Sequence, residues 1–149
     1  MESARALCDR LRERGYAITP QRRTIFEALE GATHHPSAEQ VHEDVRRRLP
    51  DVSLATVYKT LKELVSMGEI AELSLHGDRS RYDPRVDVHS HLKCDICERV
   101  VDVDLDFAEL VLPARCRAGF VVDRHEVVFY GRCPECLRAE NARKRTLAR

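Results

Sequence analysis

His89-Ser-His91-Leu-Lys-Cys94-Asp-Ile-Cys97-Glu-Arg-Val-Val-Asp102 gathers two imidazoles, two thiols and a terminal aspartate in one short run. Cys94 and Cys97 form a C-x-x-C, and Cys133-Pro-Glu-Cys136 repeats it after 35 residues. Two such knuckles supply the four thiolates of a closed, tetrahedral Zn²⁺ site, provided the chain between them folds back. A redox dithiol is the competing reading, but that motif comes singly in a βαβ setting. His89 and His91 alternate, so on an extended strand both rings fall on one face. Imidazole and carboxylate without thiolate suit a harder ion such as Fe²⁺ or Mn²⁺. One segment is thus expected to serve a structural metal and an exchangeable one.

Outward from this segment, the chain divides. Asp83-Pro84-Arg85-Val86-Asp87 interrupts the periodic pattern, and Pro84 pushes Asp83 into an extended conformation. The expected organisation is an N-terminal domain over 1–82, a hinge over 83–88 and a second domain over 89–149. In the first, residues 2–14 read as an amphipathic helix stopped at Gly15. Thr19-Pro20 reads as the start of a second helix, ending near Gly31. Ser37 and Gln40 form a capping box opening a third, through Val41 and Val45 to Leu49. Ser53 caps a fourth, whose Val57, Leu61 and Leu64 recur at helical spacing and leave Ala55, Thr56, Tyr58, Lys59 and Lys62 outside. Alternating residues 69–75, the turn His76-Gly77-Asp78 and Arg79–Tyr82 read as a hairpin. Three helices and a hairpin in this order describe a winged helix-turn-helix.

In the second half, His89–Cys94 and 99–103 read as strands, 105–118 as a helix interrupted by Pro113, 120–130 as a long strand, and the chain from Pro134 as a helix with a basic tail, Arg143-Lys-Arg145. The fold class expected is α+β: a winged helix followed by an α/β dimerisation domain with a four-cysteine zinc site. Cys8 and Cys116 have no partner at ligand spacing and are expected as small buried hydrophobes.

Length and composition set the outer limits. The 149 residues allow one domain or two small ones, each of which gains from a metal or a second copy. Lys plus Arg equal Asp plus Glu at 25 each, so formal net charge is zero and any DNA attraction rests on local clusters. No apolar run approaches about 18 residues and no signal-type segment opens the chain, so a cytoplasmic protein without membrane association is expected. No nucleophile–base pair or ligand-cradling glycine loop accompanies the motifs, so neither an enzyme nor a small-molecule substrate is expected. Tyr58 and Lys59 suit phosphate or base-edge contacts, with Ser53 and Thr56 at the helix start; half-buried packing is the alternative for Tyr58. His35, Asp83, His89, His91 and Asp102 come from separate segments. Spacing alone leaves them as solvated side chains or as converging ligands.

Five stretches carry a resemblance that spans nearly the whole chain: Ile18-Thr-Pro-Gln-Arg22, His35-Pro-Ser-Ala-Glu39, Ser53-Leu-Ala-Thr-Val-Tyr58-Lys-Thr-Leu61, His89-Ser-His-Leu-Lys-Cys94 and Tyr130-Gly-Arg-Cys133-Pro-Glu-Cys136. Together they resemble the ferric-uptake-regulator family of metal-dependent bacterial repressors. The resemblance implies a homodimer on a double-stranded DNA operator, structural Zn²⁺ on Cys94, Cys97, Cys133 and Cys136, and regulatory Fe²⁺ or Mn²⁺ on His35, Asp83, His89, His91 and Asp102. It also implies DNA contacts from Ser53, Ala55, Thr56, Tyr58, Lys59 and Arg22. Aspartate at both 83 and 102 resembles the peroxide-responsive branch, where the histidines matching His35 and His89 are oxidised. Iron- and zinc-sensing members usually carry Glu at one of these positions. A regulator of iron or manganese uptake without peroxide sensing is the alternative. A further family site needs a His at position 88 and an Asp at 90. Here these are Val88 and Ser90, leaving only Glu109 and His125.

Overall fold

The computed structural model describes residues 3–30, 32, 34–75, 79–105, 107, 110–123 and 125–147, with the side chains of 145–147 also left aside. The turn at 76–78, Gly31, Ala108, Glu109 and the Arg145 side chain therefore lie outside the described residues. The chain forms two compact units, Met1–Val86 and Asp87–Arg149.

The first unit packs four helices and a hairpin. Helix α1 spans Ala4–Glu13, α2 Pro20–Glu30, α3 Ala38–Arg46 and α4 Leu54–Ser66; β1 is Ala71–Leu73 and β2 Arg81–Asp83. Each helix begins where a side-chain oxygen satisfies an orphan backbone donor. Ser3 accepts from Ala6 N–H, Thr19 from Arg22 N–H, and Ser53 from Thr56 N–H at 3.1 Å. Ser37 and Gln40 close the capping box in both directions, at 3.3 and 2.9 Å. Gly15 ends the first helical segment at φ +84° and Gly68 the fourth at φ +72°, conformations that side-chain-bearing residues rarely adopt. Helix α3 stops short of Leu49, with Arg47 as its cap.

One apolar core joins these elements: Leu7 and Leu11, Ile25, Phe26 and Leu29, Val41 and Val45, Val57, Leu61 and Leu64. Thr60 is buried with that stripe on α4. At roughly 25 cal/mol per Å², such burial dominates the stability of a unit this size. β1 and β2 pair antiparallel, Ala71 opposite Asp83 and Leu73 opposite Arg81. Asp83, read from sequence as part of the break, is therefore the last residue of a strand.

The second unit holds a three-stranded sheet in the order β4-β3-β5, formed by Val100–Val103, Ser90–Cys94 and Val128–Gly131, followed by helix α5, Pro134–Leu147. β3 pairs antiparallel with β4 and parallel with β5. Three expectations fail here. Among the described residues of 105–118 there is a single 3₁₀ turn, Ala114–Cys116, and no α-helix. Pro113 lacks an N–H and disfavours helix in the residue before it. Leu105, Leu110, Val111 and Leu112 also stand exposed, so no buried face organises a helix among these residues. The strand expected over 120–130 is limited to Val128–Gly131, because β3 offers pairing only from His91 to Cys94. Cys8 is buried as expected, whereas Cys116, expected buried, is exposed at the end of the 3₁₀ turn.

Candidate metal centres and nucleic-acid interface

The four thiols of Cys94, Cys97, Cys133 and Cys136 lie within 4.8 Å of one another. Local backbone makes this possible. Cys94 ends β3; its amide donates to Arg99 C=O at 2.9 Å, and its carbonyl accepts from Glu98 N–H at 3.0 Å, with Glu98 at φ 58° to tighten the turn. Cys133 follows β5 directly, and the parallel pair Cys94–Gly131 carries it alongside. Cys133 N–H points at Cys94 Sγ (3.3 Å) and Cys136 N–H at Cys133 Sγ (3.5 Å). Burial pushes the Cys94 thiol up, but backbone donors at Cys97, Cys133 and Ile96 outweigh it and bring it to about 6. N–H groups aimed at sulfur stabilise thiolate, and four sulfurs fit tetrahedral zinc by donor chemistry.

The histidines and aspartates fall into one group per unit. In the first, Nε2 of His35 lies 3.2 Å from Oδ2 of Asp83. Both are buried, and their elements are stitched together, since Tyr82 N–H donates to Pro36 C=O at 2.9 Å. The other Asp83 oxygen accepts from Arg85 N–H at 2.7 Å, an Asx turn that fixes the carboxylate.

In the second unit, His91 is opposite Asp102 in the β3–β4 register, and the His89 and His91 rings meet at 4.4 Å between centroids, tilted by 56°. Asp102 Oδ1 is 3.2 Å from His89 Nε2 and 4.0 Å from His91 Nε2. His89 Nδ1 lies 2.7 Å from the Asp87 carbonyl oxygen. That oxygen can only accept, so Nδ1 carries a proton and Nε2, which faces Asp102, is the nitrogen placed to meet a metal. Period two brings the histidines to one face, as the alternation implies, whereas the Asp87 carbonyl has no side-chain signal in sequence. Each group offers imidazole and carboxylate without sulfur, the donor chemistry of Fe²⁺ or Mn²⁺. His125 is half-buried, and its suggested companion Glu109 is outside the described residues.

Helix α4 presents Ser53, Ala55, Tyr58 and Lys59 exposed and Thr56 half-buried, opposite the buried Val57–Leu61–Leu64 stripe. The Tyr58 hydroxyl donates to Glu39 Oε1 at 2.8 Å. Sequence reading had no means of finding this contact across two helices. Arg22 is engaged, donating to Ala17 C=O at 2.6 Å and to Glu63 Oε2 at 2.5 Å.

Comparison with known proteins gives a consistent picture. A model of the Ferric uptake regulator family matches residues 13–130. The peroxide operon regulator of Bacillus subtilis (strain 168) is 36% identical over 134 residues, covering 88% of this chain and 91% of that protein. The peroxide-responsive repressor PerR of Staphylococcus epidermidis is 33% identical, covering 85% of each. Among solved structures, PerR from Streptococcus pyogenes aligns at TM-score 0.53 and 34% identity, over 91% of this chain and 94% of that one. A zinc-bound manganese uptake regulator aligns at TM-score 0.70 and 28% identity, over 89% and 99%.

Proposed function

The chain belongs to the ferric uptake regulator family, and we propose that it is a metal-dependent, DNA-binding transcriptional repressor that senses peroxide. The observation that carries this is the sorting of its donors: four thiols in one cluster, and imidazoles and carboxylates apart from them in both units. Relatives at 32–36% identity named as peroxide regulators supply the branch.

In this reading the four cysteines hold Zn²⁺ and brace β3, so His89, His91 and Asp102 are a preset half-site. His35 and Asp83 are the other half. One Fe²⁺ or Mn²⁺ ion taken by both would fix the orientation of a winged-helix domain against a dimerisation domain, across a hinge that follows β2. Shifting such an equilibrium from mostly open to mostly closed takes a differential affinity of roughly 5 kcal/mol. In a homodimer the closed form sets two α4 helices at the spacing of successive major grooves on an operator. Ser53, Ala55, Thr56, Tyr58 and Lys59 then face the duplex, with Arg22 at its margin. Leu105, Leu110, Val111, Phe120 and Val121, exposed in the single chain, favour a second copy as the partner.

When bound, Fe²⁺ supplies the electron that cleaves hydrogen peroxide, a reaction Mn²⁺ does not support. A ring carbon of His35 or His89 would then gain one peroxide oxygen and give up its hydrogen, the second oxygen leaving as water. An oxidised ring is a poorer donor, so one half-site loses a ligand and the closed form is no longer favoured.

The deciding experiment measures operator binding by the Fe²⁺- and Mn²⁺-loaded protein before and after low peroxide. The Fe²⁺ form should release DNA and carry one added oxygen on peptides containing His35 or His89; the Mn²⁺ form should do neither. Release accompanied only by cysteine oxidation overturns the mechanism. Retention by both forms favours the second reading, a metal-uptake regulator without peroxide sensing, which the likeness to a manganese uptake regulator supports.

A further inference from the structure

Glu39 is an odd residue to find beside a helix that meets DNA, because a carboxylate there repels phosphate. Its surroundings explain what it does. It stands in the first turn of α3, four residues after His35. That turn is locked from several sides. Gln40 Oε1 accepts from Ser37 N–H at 2.9 Å and from Arg81 Nη1 at 2.8 Å, while Pro36 C=O accepts from Tyr82 N–H. The hydroxyls of Ser37 and Tyr58 hold the Glu39 carboxyl below the usual carboxylate range, so it is a charged acceptor at neutral pH. In return, the bond to Glu39 pushes the Tyr58 phenol up, so the phenol keeps its proton.

Tyr58 itself is exposed on α4, opposite the buried stripe. A tyrosine on an open helix face samples several rotamers, and ordering it costs entropy at the moment of binding. A fixed acceptor at 2.8 Å removes that freedom beforehand.

We propose that Glu39 is a positioning residue for operator recognition: by accepting from the Tyr58 hydroxyl it sets the tyrosine on the DNA-facing side of α4 before DNA arrives. This rests on the reading of the chain as a DNA-binding regulator. It also gives the loop that carries His35 a direct hold on α4, since His35 and Glu39 flank the same locked turn. The hydroxyl proton is spent on Glu39, so Tyr58 meets DNA through its ring and not as a hydrogen-bond donor.

The test uses full-length, Mn²⁺-loaded protein and a duplex selected by the wild type from a random-sequence library. Affinity is compared with that for a scrambled duplex of equal composition. Glu39→Ala is expected to lower the selected-to-scrambled ratio about tenfold, the scale of one lost specific contact. Tyr58→Phe is expected to lower it equally, and the double variant no further, because both break one link. Glu39→Gln, whose amide oxygen still accepts, is expected to stay within about twofold of wild type. An unchanged ratio in Glu39→Ala, additive losses in the double variant, or a Glu39→Gln as impaired as Glu39→Ala each overturn the proposal. Manganese content and circular dichroism of every variant show that the fold and the half-sites are intact. A wild type that selects no duplex in any metal state removes the regulator reading itself, a different failure from any of these.

Discussion

Arg22 Nη2 lies 2.5 Å from Glu63 Oε2, tying the first turn of α2 to the last turns of α4, while Nη1 reaches the Ala17 carbonyl. The pair is partly buried, at 25% and 30% side-chain exposure. Arg22→Ala is therefore expected to lower stability to urea by about 1 kcal/mol, with Glu63→Ala similar and the double variant little worse. The slope of DNA affinity against salt separates this brace from a phosphate contact. A lost contact flattens the slope by about 1, and a lost brace leaves it in place.

Tyr82 is buried, and its hydroxyl has no hydrogen-bond partner among the described residues. Burial pushes its phenol up to about 12 from an ordinary value of 10, with the charge of Glu72 adding to it. The folded value exceeds the unfolded one, so the contribution to stability is complete below pH 10 and is lost as pH rises toward about 12. Tyr82→Phe should remove this alkaline step and raise stability at neutral pH by up to about 1 kcal/mol, since nothing is left unpaired. Urea midpoints between pH 7 and 11 read both effects, and a variant with the wild-type alkaline profile would place the step elsewhere.

Asp102 reaches His89 at 3.2 Å with a side chain one methylene shorter than glutamate. Asp102→Glu keeps the carboxylate but moves it relative to both imidazoles. Metal-dependent operator binding is expected to persist, and peroxide release of the Fe²⁺ form to slow about tenfold or more, the scale on which a displaced group alters a reaction. Gel shifts over a peroxide time course decide this; wild-type kinetics would show that reactivity does not turn on this carboxylate.

Phe120 and Val121 are 74% and 86% exposed beside Ala118 and Gly119, both at positive φ. A Phe120→Asp, Val121→Asp double variant should run as a monomer in sedimentation at micromolar protein, where the wild type is expected to run as a dimer. DNA affinity should fall steeply with it, because two half-sites are then read separately. A dimer in both proteins would assign the interface to other residues.

What was legible in the sequence was local. The Ser37–Gln40 box, the Ser53 cap and the α4 stripe are each decided within a turn or two of helix, and each is found where spacing put it. The two knuckles were legible because thiols at short spacing have few other uses. The stretch 105–118 was misread for a physical reason. Its periodicity is helical, yet Pro113 opposes a helix, and Leu105, Leu110, Val111 and Leu112 stand exposed. Cys116 was misread with it. The Tyr58–Glu39 and Arg22–Glu63 links join helices distant in sequence, and no periodicity encodes them.

The parallel pairing of β3 with β5 carries one consequence for how the second unit forms. Its partners are separated by residues 95–127, in which the described residues form β4 and one 3₁₀ turn. Closing so long a loop costs entropy before any strand contact repays it, and it slows assembly. Thiols at both ends of the loop can be drawn together by a metal first, leaving the strands to zip from Cys94 and Gly131 back toward His91 and Val128. The helical first unit has no such wait. Refolding from denaturant should therefore show two phases, a fast one indifferent to zinc and a slow one whose rate follows zinc concentration.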